Sequence, residues 1–212
     1  MPTMNDMTSS QSPTYIYILL TNTGTVFTRL IKCFTGAPYN HASISLDPQL
    51  AELYSFGRKE ARNPLNAGFV REDVYYGTYR YFPNTTCELL RLEVTARQKE
   101  AVKAVIDYFN RNKERYSYNL LGLLGVLLKR DLQIENACFC SQFVAEVLSK
   151  GGAGLWNDRP SALVTPQDFR QHGRLETVYE GRLHDYPELD KHKLYLAQAN
   201  RYHARTAALK VN

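Results

Sequence analysis

The sequence predicts a single α+β domain in which a mainly antiparallel sheet packs against helices. Three observations carry that prediction. The run Tyr15-Ile16-Tyr17-Ile18-Leu19-Leu20 is β-branched and aromatic, dense enough for a strand buried on both faces. Residues 39–57 read as two strands folded about an Asp47-Pro48 turn. Two later segments place apolar residues at helical spacing behind a capping or start signal.

Taken in order, residues 1–13 are rich in Ser, Thr, Met and Pro and are expected to form a disordered N-terminal arm. After the first strand, Thr21-Asn22-Thr23-Gly24 is a turn leading into a short amphipathic helix, Thr25 to Phe34, closed by Gly36 with Pro38 beyond it. The hairpin follows, with His41 at the mouth of its first strand and Glu52 to Gly57 as the return strand. Arg58 to Pro83 reads as a long loop, punctuated by Asn63-Pro64, Gly68 and Gly77 and rich in tyrosine; loops of that length often border a site.

Cys87 to Val94 alternates as a strand. Thr95 with Gln98 three residues on forms a capping box, and Val102, Val105, Ile106 and Phe109 mark a helix to about Asn112. Leu120 to Leu128 is an apolar segment suited to a buried helix. Phe143, Val144, Val147 and Leu148 define one buried face of a helix beginning at Cys140 and ending at Gly151-Gly152. Thr165-Pro166 opens another helix, with proline at its first position, and Leu175 to Glu180 is a last strand. The domain therefore spans 14–185, followed by a charged tail, 186–212, expected to be a solvated helix.

Composition removes several function classes. The chain of 212 residues is 44% hydrophobic and 22% charged, as globular proteins are, which argues against disorder. A net charge of +5 is scattered rather than clustered, and no nucleic-acid-binding signature is present, so a nucleic-acid partner is not expected. The longest apolar run, Leu120 to Leu128, is far short of the roughly 18 residues a membrane-spanning helix needs. Four cysteines, Cys33, Cys87, Cys138 and Cys140, are too few for a disulfide scaffold of this size, and with no secretory signal in the first residues the expected location is cytoplasmic. Cys138-x-Cys140 lacks the spacing and the second pair of a zinc site; no metal and no cofactor are expected.

The chemistry centres on Cys140. A thiol at a helix start faces unpaired backbone N–H groups and the positive end of the helix dipole, both of which favour thiolate. An unpaired cysteine is otherwise a buried apolar filler, so a base must be found for it. His41 suits that role, because an imidazole within hydrogen-bond reach can share the thiol proton and later return it to a leaving group. Such pairs are defined by geometry, not chain order.

Three stretches carry a resemblance: Ala37-Pro38-Tyr39-Asn40-His41-Ala42-Ser43-Ile44-Ser45-Leu46, Leu53-Tyr54-Ser55-Phe56-Gly57-Arg58 and Phe139-Cys140-Ser141-Gln142-Phe143-Val144. Together they resemble the circularly permuted branch of the NlpC-type papain-like cysteine hydrolases, which includes YiiX-like proteins and lecithin retinol acyltransferase. In that branch the histidine strand precedes the cysteine helix, as it does here. Tyr118-Asn119 and Thr165-Pro166-Gln167-Asp168-Phe169 also resemble the group, so the likeness runs from about Tyr15 to Glu180.

The resemblance implies a permuted papain-like fold with His41 as base, Cys140 as nucleophile and Cys138 as bystander. It also implies a polar third residue from the strand after the histidine. Folding the hairpin about Asp47 to Leu50 sets residues near Ser55 and Phe56 opposite His41, which makes Ser55 the first candidate and Glu52, nearer the turn, the second. The backbone N–H of Cys140 is the natural oxyanion donor. The implied activity is thiol hydrolysis of amide or peptide-type bonds through an acyl-thioester. Lipid acyl transfer or thioester cleavage is the nearest alternative, and a non-catalytic binding module of the same shape is the alternative from another class. The expected partner is accordingly a small-molecule, peptide or lipid substrate.

Overall fold

A computed structural model describes residues 12–24, 37–60, 63–118 and 137–199. The expected helix at Thr25 to Phe34, the apolar segment Leu120 to Leu128, Asn119, residues 1–11 and the tail beyond 199 lie outside the described residues.

The described chain is α+β, a six-stranded antiparallel sheet packed against helices. Its strands are β1 (Thr14–Asn22), β2 (His41–Ser45), β3 (Leu53–Glu60), β4 (Asn63–Glu72), β5 (Thr86–Val94) and β8 (Leu175–Arg182), in the spatial order β4-β3-β2-β1-β5-β8. Two short strands, β6 (Ser117–Tyr118) and β7 (Ala137–Cys138), form a separate parallel pair. The helices are α1 (Ala96–Arg111), α2 (Cys140–Lys150) and the single turn α3 (Pro166–Arg170).

The capping signals act as written. Thr95 accepts from the Gln98 N–H while the Gln98 side chain reaches back to the Thr95 N–H, and Thr165 and Asp168 repeat the device on α3 behind Pro166. Helix α2 stops at Gly151, and Gly152 takes a left-handed φ of +72°, the conformation glycine adopts without strain after a helix.

Side-chain alternation sorts the sheet into two buried layers. Ile16, Ile18 and Leu20 of β1, Ala42 and Ile44 of β2, Tyr54 and Phe56 of β3 and Leu90 and Leu92 of β5 face α1 and α2. Phe143 of α2 sits among Phe56, Phe69 and Phe109 with ring centroids 5.3, 5.6 and 5.2 Å away, edge-on or tilted, as the ring quadrupoles prefer. That nest fixes how α2, and so Cys140, sits on the sheet. Leu19, Leu53, Cys87 and Leu89 face the other way, where Val74, Tyr79, Leu183, Tyr186, Leu189 and Leu194 cover them.

Two expectations change. The loop expected over Arg58 to Pro83 contains β4; Pro64 and Gly68 read as loop punctuation, yet β4 is an edge strand, where a proline leaves no interior ladder bond unmade. The tail from 186 is not wholly solvated either. Residues 191–199 are helical, but Tyr186, Leu189, Leu194 and Ala197 are buried, and three of them close the second layer. Its charges lie on the outer side of an apolar stripe that the charge count concealed.

Candidate functional site: a cysteine, a histidine and a glutamate at the rim of the sheet

Cys140 is the first residue of α2, capped only by the backbone of Phe139. The first intrahelical bond runs from the Phe143 N–H to the Phe139 carbonyl at 2.9 Å, so the N–H groups of Cys140, Ser141 and Gln142 have no acceptor within the helix. Ser141 anchors this turn through a 2.6 Å bond from its hydroxyl to the Val164 carbonyl. Cys138 lies in β7, two residues before the helix and outside it.

His41 opens β2, at the end of the strand and hence at the rim of the sheet. Its ring lies close enough to the Cys140 side chain for each to shift the other's proton affinity. The ring Nε2–H donates to Glu72 Oε1 at 2.7 Å, which leaves Nδ1 for the sulfur. Chain order thus brings a β2 residue and an α2 residue, 99 positions apart by subtraction of 41 from 140, into contact.

Glu72, the last residue of β4, is the centre of the polar cluster. Its Oε1 accepts from His41 and, at 2.6 Å, from Ser55; its Oε2 accepts from Ser43 at 2.7 Å and from Tyr79 at 3.0 Å. Four donors fill the lone pairs of one carboxylate, which is how an ionised group survives burial. Ser43 Oγ also stands 3.3 Å from His41 Nε2.

Of the residues expected at the third position, Ser55 bonds to Glu72 and not to the imidazole, while Glu52 stays at the hairpin turn with its backbone N–H on Asp47 Oδ2 at 2.7 Å. The register explains the shift: Ile44 faces Tyr54, so the pairing continued outward sets His41 opposite Gly57. A Cβ built on Gly57 would lie 3.2 Å from Ser55 Oγ, 3.4 Å from His41 Cε1 and 3.5 Å from Glu72 Oε1. The missing side chain makes the space into which the ring and carboxylate converge.

Glu72 carries little local signal in the sequence. The signal available was the alternation Phe69-Val70-Arg71-Glu72 and the glycine pair Gly57 and Gly68, which face each other across β3 and β4.

The electrostatics follow from these contacts. Burial would lower the proton affinity of His41, but the Glu72 carboxylate and the Cys140 sulfur outweigh it and raise its pKa to about 10. Burial likewise opposes ionisation of Glu72, and the His41 charge and the Ser55 and Ser43 hydroxyls overcome it, lowering its pKa to about 2. Burial also disfavours the Cys140 thiolate; the adjacent imidazolium and the N–H groups of Ala42 and Ser141 more than compensate and lower its pKa. Cys87, equally buried but without a cation, goes the other way: burial and the Glu180 and Glu88 carboxylates raise its pKa to about 12. The contrast separates an inert core thiol from an activated one.

The site is not sealed. Cys140 retains 5% of its surface exposed, and the side chains of His41 and Glu72 retain 22% and 12%. Among the described residues no group of three or more His, Cys, Asp and Glu side chains is placed to hold a metal ion, and no helix is long and apolar enough to cross a membrane. No family model and no curated protein matches the chain.

Proposed function

We propose that this chain is a cysteine hydrolase of the permuted papain-like type, acting on amide or peptide-type bonds. The observation that carries the reading is His41 standing between the Cys140 sulfur, whose proton affinity it lowers, and Glu72, which holds the ring nitrogen at 2.7 Å. A thiolate next to an imidazolium that is itself held by a buried carboxylate is the arrangement nucleophilic thiol catalysis requires. The order of the parts, histidine strand first and cysteine helix later, supports the permuted branch.

In the first step the Cys140 thiolate attacks the substrate carbonyl carbon, and negative charge gathers on the carbonyl oxygen. The N–H groups of Cys140 and Gln142, which have no backbone acceptor within α2, are the donors available to that oxygen. His41 then passes its Nδ1 proton to the departing amine, the C–N bond breaks, and an acyl-thioester remains on Cys140. Water attacks the thioester while His41 accepts its proton; the C–S bond breaks, the acid leaves, and the thiolate–imidazolium pair is restored. Glu72 keeps its charge throughout and holds the ring. The reading entails a reducing compartment such as the cytosol, since oxidation of the sulfur ends the cycle.

The deciding experiment is limiting alkylation with iodoacetamide of wild type and of Cys140→Ser at pH 6. Rapid labelling that disappears in the variant is expected. Equal labelling of the two proteins would sink the hydrolase and leave a binding module.

A further inference from the structure

Glu72 draws its four hydrogen bonds from unlike sources. His41 and Ser43 belong to β2 and Ser55 to β3, so their positions are set by the sheet ladder itself. Tyr79 does not belong to the sheet. It lies in the single turn of 3-10 helix Thr78–Tyr81, within the connection from β4 to β5, and returns to a carboxylate seven residues earlier in the chain.

The return path is tightly built. Asp73 Oδ1 accepts from the N–H groups of Tyr75 at 2.7 Å and Tyr76 at 2.9 Å, and the Gly77 N–H bonds to the Asp73 carbonyl at 3.1 Å. A Cβ on Gly77 would come within 2.5 Å of that carbonyl oxygen, so only glycine allows the turn to close. Tyr79 is 3% exposed, and its phenol oxygen also lies 3.4 Å from Thr21 Oγ1, a β1 residue paired with His41 across the ladder. The Thr21 and Ser43 hydroxyls stand beside this phenol, and its charged acceptor is Glu72 Oε2 at 3.0 Å.

We propose that Tyr79 is a positioning residue for the imidazole: it acts through Glu72, pinning the carboxylate oxygen remote from the ring so that the near oxygen stays on His41 Nε2. Without the phenol, Ser43 is the one donor left on Oε2 among the described residues. The carboxylate can then rock about its bond to the chain, and the attraction that keeps His41 protonated, steep in distance at this burial, weakens. The proposal rests on the reading of Cys140 and His41 as the reacting pair, but its test has a separate readout.

That readout is the titration of the His41 ring, followed by the imidazole resonances of histidine-labelled full-length protein and assigned against His41→Gln. In Tyr79→Phe the His41 midpoint is expected to fall by about half a unit to one unit, a threefold to tenfold loss of proton affinity. In Tyr75→Phe, which removes a phenol of the same connection that accepts from the Asp190 N–H, away from Glu72, the midpoint stays put. In a Glu72→Gln background, Tyr79→Phe has no further effect, because the group through which it acts is gone.

A Tyr79→Phe variant that melts at lower temperature yet titrates at His41 as wild type does would show a merely structural phenol and overturn the proposal, as would a midpoint that rises. Should that variant fail to fold, ring-labelled Tyr79 in wild type replaces it: its resonances move with the His41 titration if the coupling exists, and stand still if it does not. Loss of Cys140-dependent alkylation in wild type, by contrast, strikes the hydrolase reading and leaves the His41–Glu72–Tyr79 coupling measurable.

Discussion

Glu72 and His41 meet at 2.7 Å although they come from strands that do not touch: β4 and β2 flank β3, and the carboxylate reaches past Gly57 to the ring. The empty position at Gly57 is what allows a side chain registered opposite Leu53 to arrive beside a residue four positions further along β3.

Replacing that carboxylate by the isosteric amide, Glu72→Gln, removes the charge and keeps the volume. The His41 titration is expected to drop from about 10 toward the ordinary imidazole value near 6.5, and alkylation of Cys140 at pH 8, where wild type keeps its imidazolium and the variant does not, to slow at least tenfold. Ring titration and pH-resolved alkylation check both arms.

The same pair shapes stability against pH. Glu72 has its pKa lowered to about 2, so its contribution is complete above pH 4.5 and is lost as pH falls through 2; His41 has its pKa raised to about 10, so its contribution is complete below pH 6.5 and is lost as pH rises through 10. Urea unfolding should therefore show a plateau between about pH 4.5 and 6.5 and a decline on each side. Counted once for the pair, the effect is about 3 kcal/mol; in Glu72→Gln the acid-side decline should vanish and the alkaline-side decline shrink to what the Cys140 sulfur sustains.

Gly57→Ala tests the space beside the ring. A methyl group there would stand 3.2 Å from Ser55 Oγ, which must yield by a few tenths of an ångström and carry its bond to Glu72 with it, while His41 at 3.4 Å and Glu72 at 3.5 Å come into ordinary contact; a severalfold fall in Cys140 alkylation with a melting temperature close to wild type is expected. Gly57→Val, with two further carbons, should abolish the fast reaction.

Phe143→Ala removes the ring that seats α2 among Phe56, Phe69 and Phe109. A loss of about 3 to 5 kcal/mol in unfolding free energy is expected, together with slower alkylation, because Cys140 is carried by the same helix. Phe143→Leu should recover most of both.

Gly151→Ala probes the contact of α2 with α1. Its Cβ would lie 2.3 Å from Val102 Cγ2 and 2.9 Å from both the Val102 Cα and N atoms, so a destabilisation of about 2 kcal/mol or more is expected by thermal or urea unfolding. Val102→Ala should rescue it only in part, since the backbone atoms remain in the way.

How far the site was legible follows from the range of each signal. Cys140 and His41 could be picked out because a helix start and a strand mouth are local patterns, visible within a dozen residues. The helix caps at Thr95 and Thr165 were legible for the same reason. Glu72 and Tyr79 were not. Their role depends on strand order, on a register that sets His41 opposite Gly57 instead of Ser55, and on a carboxylate that spans the intervening strand. Pro64 and Gly68 concealed β4 because breaker residues weigh against a strand until its edge position is known. The buried stripe Tyr186, Leu189, Leu194 is hidden in the sequence because charge dominates composition there, whereas packing depends on which few residues face inward.

The division of labour along β2 has a further consequence. In five residues, His41, Ser43 and Ser45 alternate with Ala42 and Ile44, so one set serves the polar cluster and its turn while the other fills the layer under α2. A single-residue insertion or deletion inside this stretch would exchange the two sets, turning hydroxyls into the oily interior and methyl groups toward Glu72. Chains descended from this one can vary β2 by replacement but not by length, and an insertion scan should find it among the least permissive stretches of the molecule.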